Sequence, residues 1–93
     1  MKVRGEMLLR EIAGETILIP VGETALRLTG MINLSESGAI LWRMLQSGAT
    51  ERQLLNRLTE EYEIDEDTAK ADLEDFLNQM GQLDLLQEAA TDE

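Results

Sequence analysis

The stretch Asn33-Leu34-Ser35-Glu36-Ser37-Gly38-Ala39-Ile40-Leu41-Trp42-Arg43-Met44-Leu45-Gln46 decides the fold. Its first residues read as the end of a strand that runs almost without a loop into a helix. Ser35 suits the N-cap, because its hydroxyl can accept from an amide two or three residues on. Glu36 then occupies the first helical position, where the positive end of the helix dipole favours a carboxylate. On a helical wheel of about 100° per residue, Ala39, Ile40, Leu41, Trp42, Met44 and Leu45 wrap most of the circumference. Glu36, Arg43 and Ser47 form the one polar stripe. A helix apolar on nearly every side must be covered on several. This segment is therefore expected to be the central post of a small fold, with Trp42 packed in its core.

Working outward towards the N-terminus, residues 7–12 are a strand candidate, residues 13–15 a turn, and residues 16–19 a second, β-branched strand stopped by Pro20. Two strands joined by three residues that include a glycine predict a hairpin. Residues 25–34 give a third extended segment, with Leu26, Leu28, Gly30, Ile32 and Leu34 on one face and Arg27, Thr29, Met31 and Asn33 on the other, a period of two. Gly30 is read either as a bulge or close approach within that strand, or as the divider between a loop and a short strand at 31–34.

Towards the C-terminus, residues 47–49 stop the post. Thr50 and Gln53 form a capping box for a second helix, which runs to about Tyr62 and buries Leu54, Leu55, Leu58 and Tyr62. Asp65 is expected to cap a third helix with Ala69, Leu73, Phe76, Leu77 and Met80 on its apolar face, and Gly81 to be its C′ residue. Leu83, Leu85 and Leu86 supply a short apolar flap. Strands first and helices after predict an α+β fold, a three-stranded antiparallel N-terminal sheet followed by three helices, in a winged helix-turn-helix arrangement. The expected domain spans residues 1–87, with residues 88–93 a disordered acidic tail.

Composition narrows the function. The chain has 93 residues, one Trp, one Tyr, one Phe, no Cys and no His, which excludes disulfides, zinc fingers and Cys- or His-based nucleophilic chemistry. Asp65, Glu66, Asp67 and Asp72 invite a calcium loop, but counting from Asp65 the sixth and twelfth positions are Lys70 and Phe76, where the loop needs Gly and Glu. Phosphate loops, nucleophile elbows and metal-ligand clusters are absent. The expectation is no enzyme, no cofactor and no metal. No signal peptide or membrane-length apolar run is present, so a cytoplasmic location is expected. The formal net charge of −11 is unevenly spread. Residues 1–49 hold five basic and five acidic side chains, whereas residues 50–93 hold three basic and fourteen acidic ones. Duplex binding needs Lys and Arg against phosphates, which disfavours a winged-helix DNA-binding regulator. A dimerising interaction module, through an edge strand or a swapped hairpin, is the other alternative.

The run Met31-Ile32-Asn33-Leu34-Ser35-Glu36-Ser37-Gly38-Ala39-Ile40-Leu41-Trp42 resembles the signature of the coenzyme PQQ synthesis protein D (PqqD) family: a strand, a capped Ser/Asn-Glu-Ser/Thr-Gly/Ala turn, and a helix carrying Trp. Residues 18–25 before it and 49–65 after it agree, so the resemblance covers about residues 7–86. It implies a RiPP recognition element, a non-catalytic adaptor that binds the leader segment of a ribosomally made precursor peptide. Such an adaptor presents the leader to a modifying enzyme, often a radical SAM protein. In that family the leader adds as a strand to the third strand and lies against the third helix. Carried onto this sequence, the resemblance implies peptide contacts at Leu28, Thr29, Gly30, Met31, Ile32 and Asn33 on the strand. On the helix it implies Ala69, Asp72, Leu73, Phe76 and Leu77. The acidic surface of that helix would favour a basic leader or a basic enzyme surface. Ser35 stands where many relatives carry Asn, and Met80-Gly81-Gln82-Leu83 departs from their commoner ending.

Overall fold

The computed structural model describes residues 1–87; the tail expected at 88–93 lies outside them. The elements run β1 (Lys2–Val3), β2 (Met7–Ile12), β3 (Glu15–Pro20), α1 (Thr24–Arg27), β4 (Ile32–Leu34), α2 (Glu36–Ser47), α3 (Glu51–Tyr62), α4 (Glu66–Gln82) and β5 (Leu86–Gln87). The fold is α+β: a three-stranded antiparallel sheet in the order β2-β3-β4, followed by helices.

Three features depart from the sequence reading. The hairpin turn is two residues, Ala13 and Gly14, both at positive φ (53° and 81°), with Ile12 opposite Glu15. That is the twist of a type I′ turn, which matches the twist of the strands it joins. The extended segment expected over 25–34 is instead a one-turn helix, a loop and a three-residue strand. Tertiary contacts outweigh its alternation: Thr24 is buried and its hydroxyl accepts the Glu6 amide at 2.6 Å, while Arg27 donates to the Leu83 carbonyl at 3.1 Å. Gly30, at φ +84° with open space around it, divides that loop from β4, as the second reading of it had it.

The third departure is at the end of α4, which passes through Gly81 and stops at a Schellman motif three residues later. Asp84 takes the left-handed position (φ 59°), its amide reaches the Gly81 carbonyl, and the Leu85 amide reaches the Met80 carbonyl at 2.9 Å. Both apolar members of the motif, Met80 and Leu85, are fully buried, the hydrophobic contact that accompanies this cap. Leu86 then enters β5, which pairs antiparallel with β1, Lys2 opposite Gln87 and Val3 opposite Leu86.

The local helix signals act as read. Ser35 Oγ accepts the Gly38 amide at 3.1 Å, and Thr50 with Gln53 closes a reciprocal capping box. Asp65 is the N-cap of α4 by backbone conformation, without a side-chain hydrogen bond. Register puts Met7, Leu9, Leu18, Ile32 and Leu34 on the inner face of the sheet. There they meet Leu41, Trp42 and Leu45 of α2, Leu54 and Leu58 of α3, and Ala69, Leu73, Phe76 and Met80 of α4 in one core. Trp42 is the largest fully buried side chain, so the body of the post beyond its first turn is scaffold. No helix among the described residues is long and apolar enough to cross a membrane.

Candidate functional site

β4 pairs with β3 along one edge, and among the described residues no strand pairs with the other. An edge strand leaves a row of backbone donors and acceptors open to another chain. Here the edge opens on a groove of about 280 Å³ between the β4–α2 junction and α4, lined by Asn33, Leu34, Ser35, Ser37, Gly38, Asp72, Asp75, Phe76 and Gln79.

Each wall follows from local sequence. Ser35 ends the strand and begins the helix at one residue: its hydroxyl takes the Gly38 amide, its carbonyl takes the Ala39 amide at 2.9 Å, and the Ser37 hydroxyl lies 3.2 Å from its own. Gly38 faces the Phe76 ring across the groove: a Cβ there would stand 3.6 Å from two ring atoms, ordinary contact, and 3.3 Å from Ser35 Oγ, which is tighter. Leu34 and Phe76 are buried and make the floor; Asp72, Asp75 and Gln79 are exposed and make the rim. The groove is thus apolar below and anionic at one lip, with neutral hydroxyls at the other.

Of the eleven residues implied by the family resemblance, the structure brings Asn33, Asp72 and Phe76 together in this groove. Ile32 lies in β4 with its side chain half-buried towards the core. Leu28, Thr29, Gly30 and Met31 precede the strand; Leu28 is half-buried, and Met31 is 64% exposed. Ala69 and Leu73 are sealed in the core at 0% and 1% exposure. Leu77 faces a different depression, with Met1, Gly81 and Leu86. The remaining groove residues, Leu34, Ser35, Ser37, Gly38, Asp75 and Gln79, were not singled out from the sequence as contacts. The signal for two of them, Asp75 and Gln79, was present: with Asp72 and Phe76 they recur at helical spacing as a stripe beside the core stripe of α4.

No nucleophile–base pair arises in the groove, and among the described residues no group of three or more His, Cys, Asp or Glu converges to hold a metal. What the arrangement offers is an open strand edge beside a part-apolar trough.

No curated protein matches the chain. Among solved structures, TbiB1 in complex with the TbiA(beta) leader peptide superposes with a TM-score of 0.75 at 26% sequence identity, covering 97% of this chain and 99% of that one. Over residues 15–86 the chain matches the family described as coenzyme PQQ synthesis protein D, and it belongs to that family, PqqD.

Proposed function

We propose that this chain is a non-catalytic adaptor that captures the leader segment of a ribosomally made precursor peptide by strand addition at β4 and presents it to a modifying enzyme, a radical SAM protein. The observation that carries the reading is the unpaired β4 edge opening on the Phe76 groove. The likeness to a protein solved with a leader peptide supports it.

Magnitudes assign the parts their roles. β4 has three residues, so an added strand gains at most about three backbone hydrogen bonds, each with a net value of about 1 kcal/mol. A micromolar complex needs about 8 kcal/mol. Side chains in the groove must supply the larger share, from burial against Leu34 and Phe76 and from charge opposite Asp72 and Asp75. Strand pairing fixes the register; the groove selects the sequence. Duplex binding meets the opposite electrostatics, because α4 carries Lys70 as its one basic residue against Glu66, Asp67, Asp72, Glu74 and Asp75.

The test is an amide NMR titration of the full chain with two peptides, the TbiA(beta) leader and the leader of a precursor encoded beside this chain. Shifts are expected at residues 32–34 and along residues 72–79. Silence at both places with either peptide, alongside salt-sensitive duplex binding, would overturn the reading.

A further inference from the structure

Beyond Ser35 the groove continues into a second pocket. A depression of about 310 Å³ lies between the N-terminus of α2 and the C-terminal end of α3, floored by Leu58, Tyr62 and Ile64. It shares Ser35, Ser37 and Asp72 with the groove, so the two are one continuous surface folded over the start of α2. Leu58 is fully buried beneath it, and the Tyr62 hydroxyl is buried without a hydrogen-bond partner.

Resting on the peptide-binding reading above, we propose that this pocket takes an apolar side chain of the same peptide, from a residue upstream of its paired segment. Direction follows from topology. β4 runs towards Ser35, and the sheet is antiparallel throughout. A strand added in the same sense enters beside Ser35 and leaves beside Met31. Residues preceding the paired segment therefore cross Ser35 and Ser37 and arrive at the pocket. Its chemistry selects an apolar occupant. The floor is two aliphatic side chains and a phenol ring, and the charged groups, Glu36 and Asp72, are exposed. A side chain buried there leaves water for an apolar surface, whereas a carboxylate would meet two like charges at the mouth.

The experiment begins with random peptides displayed against the full chain. Binders that shift amides 32–34 are kept and then shortened from the N-terminus one residue at a time. Loss of the apolar upstream residue should weaken binding about tenfold, the scale of one buried aliphatic side chain, and should remove the shifts at Tyr62 and Ile64. Ile64→Trp, which fills the pocket, should weaken the long peptide by a similar factor and leave the shortened one unchanged. Equal affinity of long and short peptides, or equal effects of Ile64→Trp on both, would overturn the pocket while the β4 reading stands. If no selected peptide shifts 32–34, both fall together. The truncation series uses the unaltered chain and decides the matter even where Ile64→Trp folds poorly.

Discussion

Replacing Gly38 by Ala should make the protein more stable and a poorer binder. Gly38 lies in the first turn of α2, where exchanging Gly for Ala gains about 0.5–1 kcal/mol from backbone entropy. The new methyl would touch two Phe76 ring carbons at 3.6 Å, ordinary contact distance, adding about 0.1–0.2 kcal/mol each. Against this stands Ser35 Oγ at 3.3 Å, which is tight. That oxygen belongs to an exposed side chain and can yield by a few tenths of an ångström while still accepting the amide of residue 38, now at 3.1 Å. Were the cap lost instead, the cost would be about 1 kcal/mol and would cancel the gain. With the cap kept, the net is about 0.5 kcal/mol. In urea, at a slope of about 1–1.5 kcal/mol/M, the midpoint should rise by about 0.3–0.5 M with the slope unchanged. The same methyl raises the floor of the groove, so leader-peptide affinity should fall several-fold by calorimetry. A lowered midpoint would show that the cap gives way. A raised midpoint with unaltered affinity would show that the peptide does not reach the floor.

Other substitutions probe other parts of the fold. Ala13→Asn places a residue tolerant of left-handed backbone at φ 53° in the hairpin turn and should add about 0.5 kcal/mol to stability, read as a raised thermal midpoint. Leu85→Ala empties a fully buried site at the end of α4 and should cost about 2–4 kcal/mol, with faster hydrogen exchange at the Arg4 amide, which donates to the Leu85 carbonyl. The Tyr62 phenol is held above its ordinary value of 10.0 by burial, then by Glu36 and Glu61. The folded state therefore keeps its proton where the unfolded chain has lost it, and stability falls as pH rises past about 10. Tyr62→Phe should flatten that alkaline decline and, by removing an unpartnered buried hydroxyl, hold or raise stability at pH 7. A steeper decline in the variant would refute the assignment.

Elements written in adjacent residues were readable, and elements written between distant ones were not. The caps at Ser35 and Thr50 need partners three residues away, so the junction of strand and post and the start of α3 emerge from the chain alone. The one-turn helix Thr24–Arg27 depends on Glu6 and Leu83, and its alternating Leu26 and Leu28 mimic a strand. β1 and β5 are two residues each, too short for periodicity, and pair across nearly the whole described chain. At the end of α4, Gly81 has the residue type that favours left-handed backbone, yet Asp84 takes that conformation (φ 59°) and is close to Arg4 and Arg27 (3.5 and 4.0 Å). The candidate groove was only partly legible for a related reason. Asp72 and Phe76 stand out on α4, but shortening of the third strand moves the open edge to residues 32–34, and the groove lies at its downstream end, against Ser37 and Gly38.

The pairing of β1 with β5 also makes this fold portable. Lys2 and Gln87 face each other across an antiparallel bridge, so their Cα atoms are about 5 Å apart. A polypeptide that entered at one and left at the other would do so at a single point, on the scale of an ordinary turn. Such a unit can be spliced into a surface loop of a host enzyme, or recircularised and reopened at Ala13-Gly14, provided the join keeps Met1 in the core, where its amino group donates to the Ala49 carbonyl at 2.9 Å. Grafting the β4 edge, proposed above to capture a peptide, onto a catalyst that lacks one then becomes a question of loop choice.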